Sequence, residues 1–226
     1  DVSKVGNFKA ETVAAKACGS TTEDSLKGEP SATEAMSLDK ETGIWSYTLD
    51  SVGSKKYYKY QITNNGITYW TSDIYAKACS PDAIASQIVD INAGTDYGTK
   101  DKYKNPFGSN GSDAKDNSDA IIYEMHIRDW SRATVPNSTG KFNDFASDEV
   151  IAHLKDLGVT HVQILPMFEY AQVVNDDGYN WGYNPYHYNV PESRYTDYSS
   201  DKDGMATVEQ ARAMIKKLHE NGIAVI

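Results

Sequence analysis

The 226-residue chain has no apolar run near the ~18 residues that a membrane-spanning helix requires, so no membrane partner is expected. It has few basic residues: 22 Lys and Arg against 32 Asp and Glu give a net charge of −10. Because nucleic-acid phosphates are bound by basic patches, no nucleic-acid partner is expected either. Two cysteines, Cys18 and Cys79, are too few for a disulfide framework and could form one bridge or remain thiols.

Motifs of common catalytic sites are missing as well. The sequence has no G-x-S-x-G elbow, no G-x-x-x-x-G-K-[ST] loop and no G-x-G-x-x-G loop. No pair among its five histidines has the H-E-x-x-H spacing, so no zinc site is expected. We expect His126, placed within a strand, to be a hydrogen-bonded core residue, and His187 to be the histidine with a functional role.

Carboxylates are present but form no recognisable acid/base pair. Asp129, Asp144 and Glu192 lie in segments where charged side chains are usually solvated or structural. Glu124 lies inside an apolar strand and is expected to face a partner rather than a substrate. No catalytic residue is therefore predicted.

Residues 1–105 have the pattern of an all-β domain. An Asn-Gly pair between β-rich runs, Asn64-Asn65-Gly66, predicts a hairpin. Residues 12–18 could be a strand or a short helix. The other predicted strands lie at residues 43–49, 56–62, 67–70 and 84–91. Several short strands with regular turns indicate a β-sandwich. A polar, Gly- and Asn-rich stretch, residues 106–119, is the predicted linker.

Residues 120–226 change to alternating strands and helices, which is typical of a parallel sheet. The predicted strands are residues 120–127, 159–165 and 223–226. A first helix is capped by Ser147 or Asp148, places Val150, Leu154 and Leu157 on one face, and ends at Gly158.

A second helix opens with a capping box formed by Thr207 and Gln210. Since three parallel strands alone leave both sheet edges unpaired, we expect this chain to be the front part of a longer protein. Its start on Asp1 rather than Met indicates a processed or trimmed terminus.

The segment from Tyr179 to Tyr188, YNWGYNPYHY, lies within a long stretch, residues 166–206, that has no helix or strand periodicity. Loops of this length usually carry function, and the aromatic content argues against disorder. Aromatic rings pack on the apolar faces of sugar rings, while Tyr hydroxyls and Asn amides bond sugar hydroxyls. The alternative is that Trp181 and the tyrosines only pin the loop to the domain; both can hold for different rings.

The residues now resemble a known family. IIYEMHIRDWS (121–131), VQILPMF (162–168) and YNWGYNPYHYNVPE (179–192) resemble the first strand, second strand and following loop of type I pullulanases. These belong to glycoside hydrolase family 13, the α-amylase superfamily. Upstream, GIWS (43–46), YYKY (57–60) and YAKA (75–78) are similar to a family 48 carbohydrate-binding module. The resemblance covers residues 36–226.

This resemblance implies an immunoglobulin-like β-sandwich followed by the first units of a TIM (β/α)₈ barrel, truncated in the third strand. The parent enzyme would hydrolyse α-1,6 branch linkages of pullulan- or starch-type α-glucan, with retention, using two carboxylates. Those carboxylates would lie on the fourth and fifth strands, beyond Ile226, so the chain alone would be inactive. Its expected partners are an α-glucan polysaccharide or oligosaccharide and the remaining C-terminal part of the barrel.

Substrate-binding residues are carried over from the same loop. Tyr183 matches the tyrosine that stacks on the sugar at the cleaved subsite. The weaker candidates are Trp181, Asn180, Asn184, His187 and Tyr188. Asn184 stands where many relatives have Asp, and Ser193-Arg194 replaces a commoner Gly-Ser. No cofactor is expected to be required, and a structural calcium is compatible with the family. The alternative function is a non-catalytic α-glucan-binding protein, and a third hypothesis is that the sandwich only packs against the barrel.

Overall fold

The computed structural model describes residues 10–18, 34–49, 57–64, 66–91, 117–170, 179–198 and 203–226. We call residues 10–91 the β-rich part and residues 117–226 the α/β part. The strands of the β-rich part are β1 (Ala10–Cys18), β2 (Glu34–Ala35), β3 (Ser37–Leu38), β4 (Trp45–Ser46), β5 (Tyr57–Asn64), β6 (Ile67–Thr71) and β7 (Ser86–Gln87).

The α/β part contains four described helices and five described strands. They are, in chain order, β8 (Ile122–Met125), α1 (Ile127–Thr134), α2 (Phe142–Phe145), α3 (Asp148–Asp156), β9 (His161–Ile164), β10 (Phe168–Tyr170), β11 (Pro185–Pro191), α4 (Gly204–Glu220) and β12 (Ala224–Val225). The short helices α1 and α2 are missing from the sequence prediction.

Antiparallel pairing dominates the β-rich part. Its main sheet has the order β2-β1-β5-β6, with β7 also paired to β5. The Asn-Gly hairpin is confirmed: Asn64 pairs with Ile67, and Gly66 has the positive φ of 75° that such a turn requires. Residues 12–18 form a strand, the first of the two alternatives. The strands predicted at residues 43–49 and 84–91 shrink to the two-residue β4 and β7.

A parallel sheet of order β12-β9-β8 forms the centre of the α/β part, as the strand–helix alternation predicts. The first strand ends earlier than predicted, at Met125. His126 does not belong to the strand, because its ring Nδ1 accepts a hydrogen bond from Asp129 N and thereby caps α1. Within the described ranges these strands do not close into a barrel.

The helices of the α/β part cover one face of this sheet. Residues from α3, α4 and the sheet, such as Leu154, Val162, Met214 and Leu218, share a single buried cluster. Ile122 and Gln163, on the opposite face, are exposed. Strand side chains alternate between faces, so one face is packed and the other is open in the described residues.

The predicted helix ends are partly right. The Ser147 side chain accepts from Val150 N and caps α3, and Gly158 follows its end with a φ of 74°. Leu157 does not face inward: it is 48% exposed, because the buried face of α3 is formed by Val150, Ile151 and Leu154.

The second predicted cap, at Thr207, is wrong. The cap of helix α4 lies four residues earlier, at Asp203, whose side chain accepts from Met205 N. Thr207 is buried within the helix, where its hydroxyl bonds the hydroxyls of Thr196 and Tyr198. A hydroxyl satisfied by tertiary contacts is not available to cap a helix.

The β-rich part and the α/β part are in direct contact. Gln87 Nε2 donates to Asp203 Oδ1 at 2.6 Å, and Arg212 Nη1 donates to the Ile91 carbonyl at 2.8 Å. Gly204 lies against Cys79 so closely that an added Cβ would be 2.1 Å from the Cys79 carbonyl oxygen. Glycine is therefore required where α4 begins.

Several predictions fall outside the described residues. They include most of the linker at 106–119, and the domain boundaries stay predictions. Cys79 is a buried free thiol. No helix of the described residues is long and apolar enough to span a membrane.

Candidate functional site: an exposed aromatic wall

The aromatic segment is more regular than its sequence predicts. Strand β10 pairs antiparallel with β11, with Glu169 opposite His187 and Tyr170 opposite Pro185. The register shifts on both sides of Glu169, so the pairing is irregular. The stretch from 166 to 206 thus contains two strands and the start of α4, a correction to its prediction as a loop without periodicity.

Five aromatic rings of this segment point into solvent. We call these rings the aromatic wall: Tyr179, Trp181, Tyr183, Tyr186 and Tyr188, which are between 51% and 70% exposed. Such exposure of large rings in one short segment is unusual for side chains that only pack a core, and is typical of a binding surface. It favours ligand contact over the alternative that these rings only pin the loop.

Three rings of the wall line a depression of about 500 Å³. Its lining consists of Glu124, Leu165, Tyr179, Trp181 and Tyr183. Glu124 projects from β8, and its Oε2 accepts from Gln163 Nε2 at 3.1 Å. The depression therefore combines flat apolar rings with one oriented carboxylate, which suits a ligand with apolar faces and hydroxyl groups.

Gly182 fixes the path of the wall across the end of β9. Its φ is 82°, and an added Cβ would lie 2.4 Å from the Pro166 carbonyl oxygen. The Asn180 side chain accepts from Gly182 N at 2.8 Å, which closes a local turn. The segment can therefore cross over Pro166 only with glycine at this position, and Trp181 and Tyr183 flank the crossing.

His126 anchors the same turn from below. Because its Nδ1 accepts from Asp129 N, the ring proton is assigned to Nε2, which donates to the Asn180 carbonyl at 2.9 Å. The Tyr195 hydroxyl lies 3.1 Å from the same nitrogen. The histidine is 6% exposed, so the prediction of a hydrogen-bonded core residue is confirmed. Its ring also lies 5.2 Å from that of Tyr179.

His187 does not share the exposure of its neighbours in β11. It is 3% exposed, and its Nε2 lies 2.8 Å from the Ser72 hydroxyl of the β-rich part. Burial lowers the pKa of His187, with Asp73 opposing that shift, so the neutral ring is favoured. The structure thus places His187 between the two parts and not on the wall.

Two buried carboxylates, Glu169 and Glu192, lie behind the wall. Both are fully buried, and burial is the main reason why the pKa of each is raised. Glu169 accepts from Ser193 N and from the Ser193 hydroxyl, while Glu192 accepts from Tyr170 N and Arg194 N. Since both are occupied by backbone donors and shielded from solvent, their role is to hold the segment.

The contacts of Glu169 and Glu192 explain why Ser193-Arg194 can replace the commoner Gly-Ser. Arg194 Nη1 lies 3.1 Å from Glu192 Oε1, and the guanidinium lies 5.2 Å from the centre of the Tyr170 ring. Ser193 supplies two donors to Glu169. Ser193 therefore supplies hydrogen bonds, and Arg194 a positive charge, to the buried carboxylates that they contact.

The predicted site residues separate into three groups. Trp181 and Tyr183 line the depression together, and their role in substrate binding stays a prediction. Asn184 and Tyr188 are exposed, and the Tyr188 ring lies 5.8 Å from that of Phe168. Asn180 and His187 stabilise the segment through the bonds of Asn180 to Gly182 N and of His187 to the Ser72 hydroxyl.

Sequence reasoning missed some residues of the site. Glu124 was expected to face a partner, and neither Leu165 nor the Glu169–Glu192 pair was singled out. A usable signal was the charge of Glu124 within an otherwise apolar strand. Among the described residues no group of three or more His, Cys, Asp and Glu could hold a metal ion.

Comparisons with known proteins identify relatives of this chain. No family model matches the chain. Pullulanase of Bacillus subtilis (strain 168) is 29% identical over 203 residues, covering 82% of this chain and 26% of that protein. Pullulanase A of Streptococcus pneumoniae serotype 4 is 30% identical over 224 residues, covering 84% of this chain and 17% of that protein.

A solved structure gives the same result. The crystal structure of pullulanase from Paenibacillus barengoltzii in complex with maltohexaose and alpha-cyclodextrin matches with a TM-score of 0.77 at 28% identity. The match covers 96% of this chain and 34% of that chain. The chain is therefore homologous to pullulanases over most of its length, and its fold is pullulanase-like. It spans only 17% to 26% of the length of these two curated relatives.

Proposed function

We propose that this chain is the N-terminal, α-glucan-binding part of a type I pullulanase, a retaining glycoside hydrolase of family 13 that cleaves α-1,6 branch linkages. The observation that carries the proposal is the depression in which Trp181 and Tyr183 stand beside Glu124, in a pullulanase-like fold. Flat rings pack on the apolar faces of glucose units, and the carboxylate accepts hydrogen bonds from their hydroxyls.

In this proposal the α/β part supplies the first strands of a (β/α)₈ barrel, whose sites lie at the carboxyl ends of the strands. The aromatic wall follows β9 at that end. The β-rich part is an immunoglobulin-like β-sandwich related to family 48 carbohydrate-binding modules. The two catalytic carboxylates belong to barrel strands outside these 226 residues, and the structural calcium stays a prediction.

Glucan binding is tested by titration calorimetry of the chain with maltohexaose, the sugar in the complex of the Paenibacillus barengoltzii relative. Tyr183→Ala and Trp181→Ala should each lower the affinity about tenfold, since stacking of a ring contributes on the order of 1–2 kcal/mol. Leu157→Ala is the matched control, because Leu157 of the α/β part is 48% exposed but does not line the depression. Equal losses in all three variants would contradict the proposed site.

Catalysis is tested separately by incubating the chain with pullulan and measuring reducing ends. None should form, because the chain has no catalytic carboxylate pair in this proposal. Release of reducing ends by the purified chain would refute that part. The second candidate function, a non-catalytic α-glucan-binding protein, is favoured by the exposure of all five rings of the wall in this chain. Hydrolysis after adding a polypeptide with the remaining strands would argue against it.

A further inference from the structure

His187 interrupts a row of exposed rings. Its neighbours Tyr186 and Tyr188 are 62% and 70% exposed, whereas His187 is 3% exposed. The backbone that carries both tyrosines is therefore tied inward at the residue between them. The contact that ties it, His187 Nε2 to Ser72 Oγ at 2.8 Å, joins residues 115 positions apart in sequence.

Ser72 is itself held in a fixed position. The next residue, Asp73, accepts from the Tyr58 hydroxyl of β5 at 2.7 Å, and its backbone N–H donates to the Ser86 hydroxyl of β7 at 2.7 Å. Ser72 is 7% exposed. The hydroxyl that meets His187 is thus attached to two strands of the β-rich part.

Contacts on the C-terminal side of His187 reinforce this junction. Asn189 Nδ2 donates to the Ile74 carbonyl at 3.3 Å. Val190 packs in a small buried cluster with Ala76 and Cys79. Three of the four residues from His187 to Val190 therefore touch the β-rich part, and the fourth is Tyr188.

Strand pairing by itself holds β11 weakly. Among the described strands it pairs only with the three residues of β10, and the register shifts twice in that pairing. Strands with interrupted ladders at sheet edges are locally easier to open. The contact with Ser72 is made by His187, the residue paired with Glu169 where the register shifts.

We propose that Ser72 and His187 are positioning residues for the aromatic wall, so that the β-rich part contributes to glucan affinity by holding Tyr186 and Tyr188 in place. The inference rests on the proposed function, and it gives the β-rich part a role that does not require a sugar site of its own. Loss of the Ser72 hydroxyl leaves a buried imidazole nitrogen without its partner, which loosens β11.

The experiment compares the chain with three variants: Ser72→Ala, the conservative Ser72→Thr, and Ser46→Ala at an exposed serine of β4 as the matched control. Amide hydrogen exchange of residues 185–191 measures the anchoring of β11 directly. Titration with maltohexaose measures affinity at a temperature where circular dichroism shows all four proteins folded.

Ser72→Ala should raise the exchange of residues 185–191 and lower the maltohexaose affinity about fivefold, the equivalent of one hydrogen bond. Ser72→Thr should restore both, and Ser46→Ala should change neither. Unchanged exchange in Ser72→Ala overturns the inference. Faster exchange with unchanged affinity also overturns it, because the contact would then be merely structural.

Failure of the proposed function has a different signature. If the unmodified chain does not bind maltohexaose, the glucan site is wrong. Hydrogen exchange then tests the anchoring of β11 by itself. Faster exchange of residues 185–191 in Ser72→Ala, with normal exchange in Ser72→Thr, supports the positioning of the tyrosines. Unchanged exchange in Ser72→Ala overturns that positioning.

Discussion

Glu169 and Glu192 cap each other's chain segments: Glu169 accepts from Ser193 N at 2.7 Å, and Glu192 accepts from Tyr170 N at 3.0 Å. Each carboxylate thus binds the backbone of the residue that follows the other. Arg194 is bonded to Glu192, so Glu192 has the nearer positive charge. Two buried carboxyls beside one guanidinium favour retention of a proton, which we assign to Glu169.

This pair makes stability depend on pH. Because the pKa of Glu169 is raised in the folded chain by burial and by Glu192, the folded state binds the proton more tightly than the unfolded state. The stabilisation that Glu169 contributes is therefore full below the ordinary Glu pKa of about 4.3 and falls as the pH rises above it. Glu169→Gln cannot ionise, and its free energy of unfolding should exceed that of the unmodified chain near pH 8 and approach it in acid.

Urea unfolding at several pH values between about 5 and 8 measures this difference. Glu34→Gln, at an exposed position in β2, is the control and should leave the pH dependence unchanged. A Glu169→Gln variant with the same pH dependence as the unmodified chain would show that Glu169 does not hold the proton.

Removing the ring nitrogens of His126 should loosen the turn at Asn180. His126→Phe keeps a ring of similar size but loses the bonds to Asp129 N and the Asn180 carbonyl. We expect a loss of about 1–3 kcal/mol in the free energy of unfolding and a weaker affinity for maltohexaose. His153→Phe, at an exposed histidine of α3, serves as the control in both measurements. Equal stability of the two variants would contradict the anchoring role.

Gly204→Ala should disturb the contact between the two parts. The new methyl group would overlap the Cys79 carbonyl, so α4 or the β-rich part must shift. The expected loss is about 1–3 kcal/mol, measured by thermal or urea unfolding. Met205→Ala in the same turn of α4 is partly exposed and should have a small effect. A Gly204→Ala variant as stable as the Met205→Ala variant would mean that the two parts separate easily.

The carboxylate of Asp144 should stabilise the folded chain at neutral pH and lose this effect in acid. Burial raises its pKa, but hydrogen bonds from the Ser138 hydroxyl and from the backbone of Lys141, Thr139 and Gly140 outweigh that effect and lower it. Its stabilisation is therefore present above the ordinary Asp pKa and is lost as the pH falls below about 4.

Asp144→Asn keeps one acceptor oxygen but no charge, and should cost about 1–2 kcal/mol near neutral pH. The difference from the unmodified chain should shrink in acid, as unfolding curves at several pH values would show. Asp156→Asn, exposed at the end of α3, should show no such trend. If the two chains differed in free energy of unfolding by the same amount at all pH values, the hydrogen bonds to residue 144 would not depend on its charge.

Local patterns sufficed for several turns and helix ends whose contacting residues are neighbours in sequence. The Asn64–Ile67 hairpin, the Ser147 cap and the Gly158 helix end were predictable, because each depends on residues within a few positions. The start of α4 was not predictable in this way. Threonine is a common capping residue, but the Thr207 hydroxyl is bonded to the hydroxyls of Thr196 and Tyr198.

The sequence by itself determined the change from a β-rich to an α/β part and the location of the aromatic segment, because hydrophobic periodicity and a long aromatic motif are properties of neighbouring residues. Only the tertiary structure decided which of those residues are exposed. Tyr183 and His187 stand four positions apart in one motif, yet one is 63% exposed and the other is buried against Ser72. That difference arises because burial is set by contacts between residues more than a hundred positions apart, which no local pattern encodes.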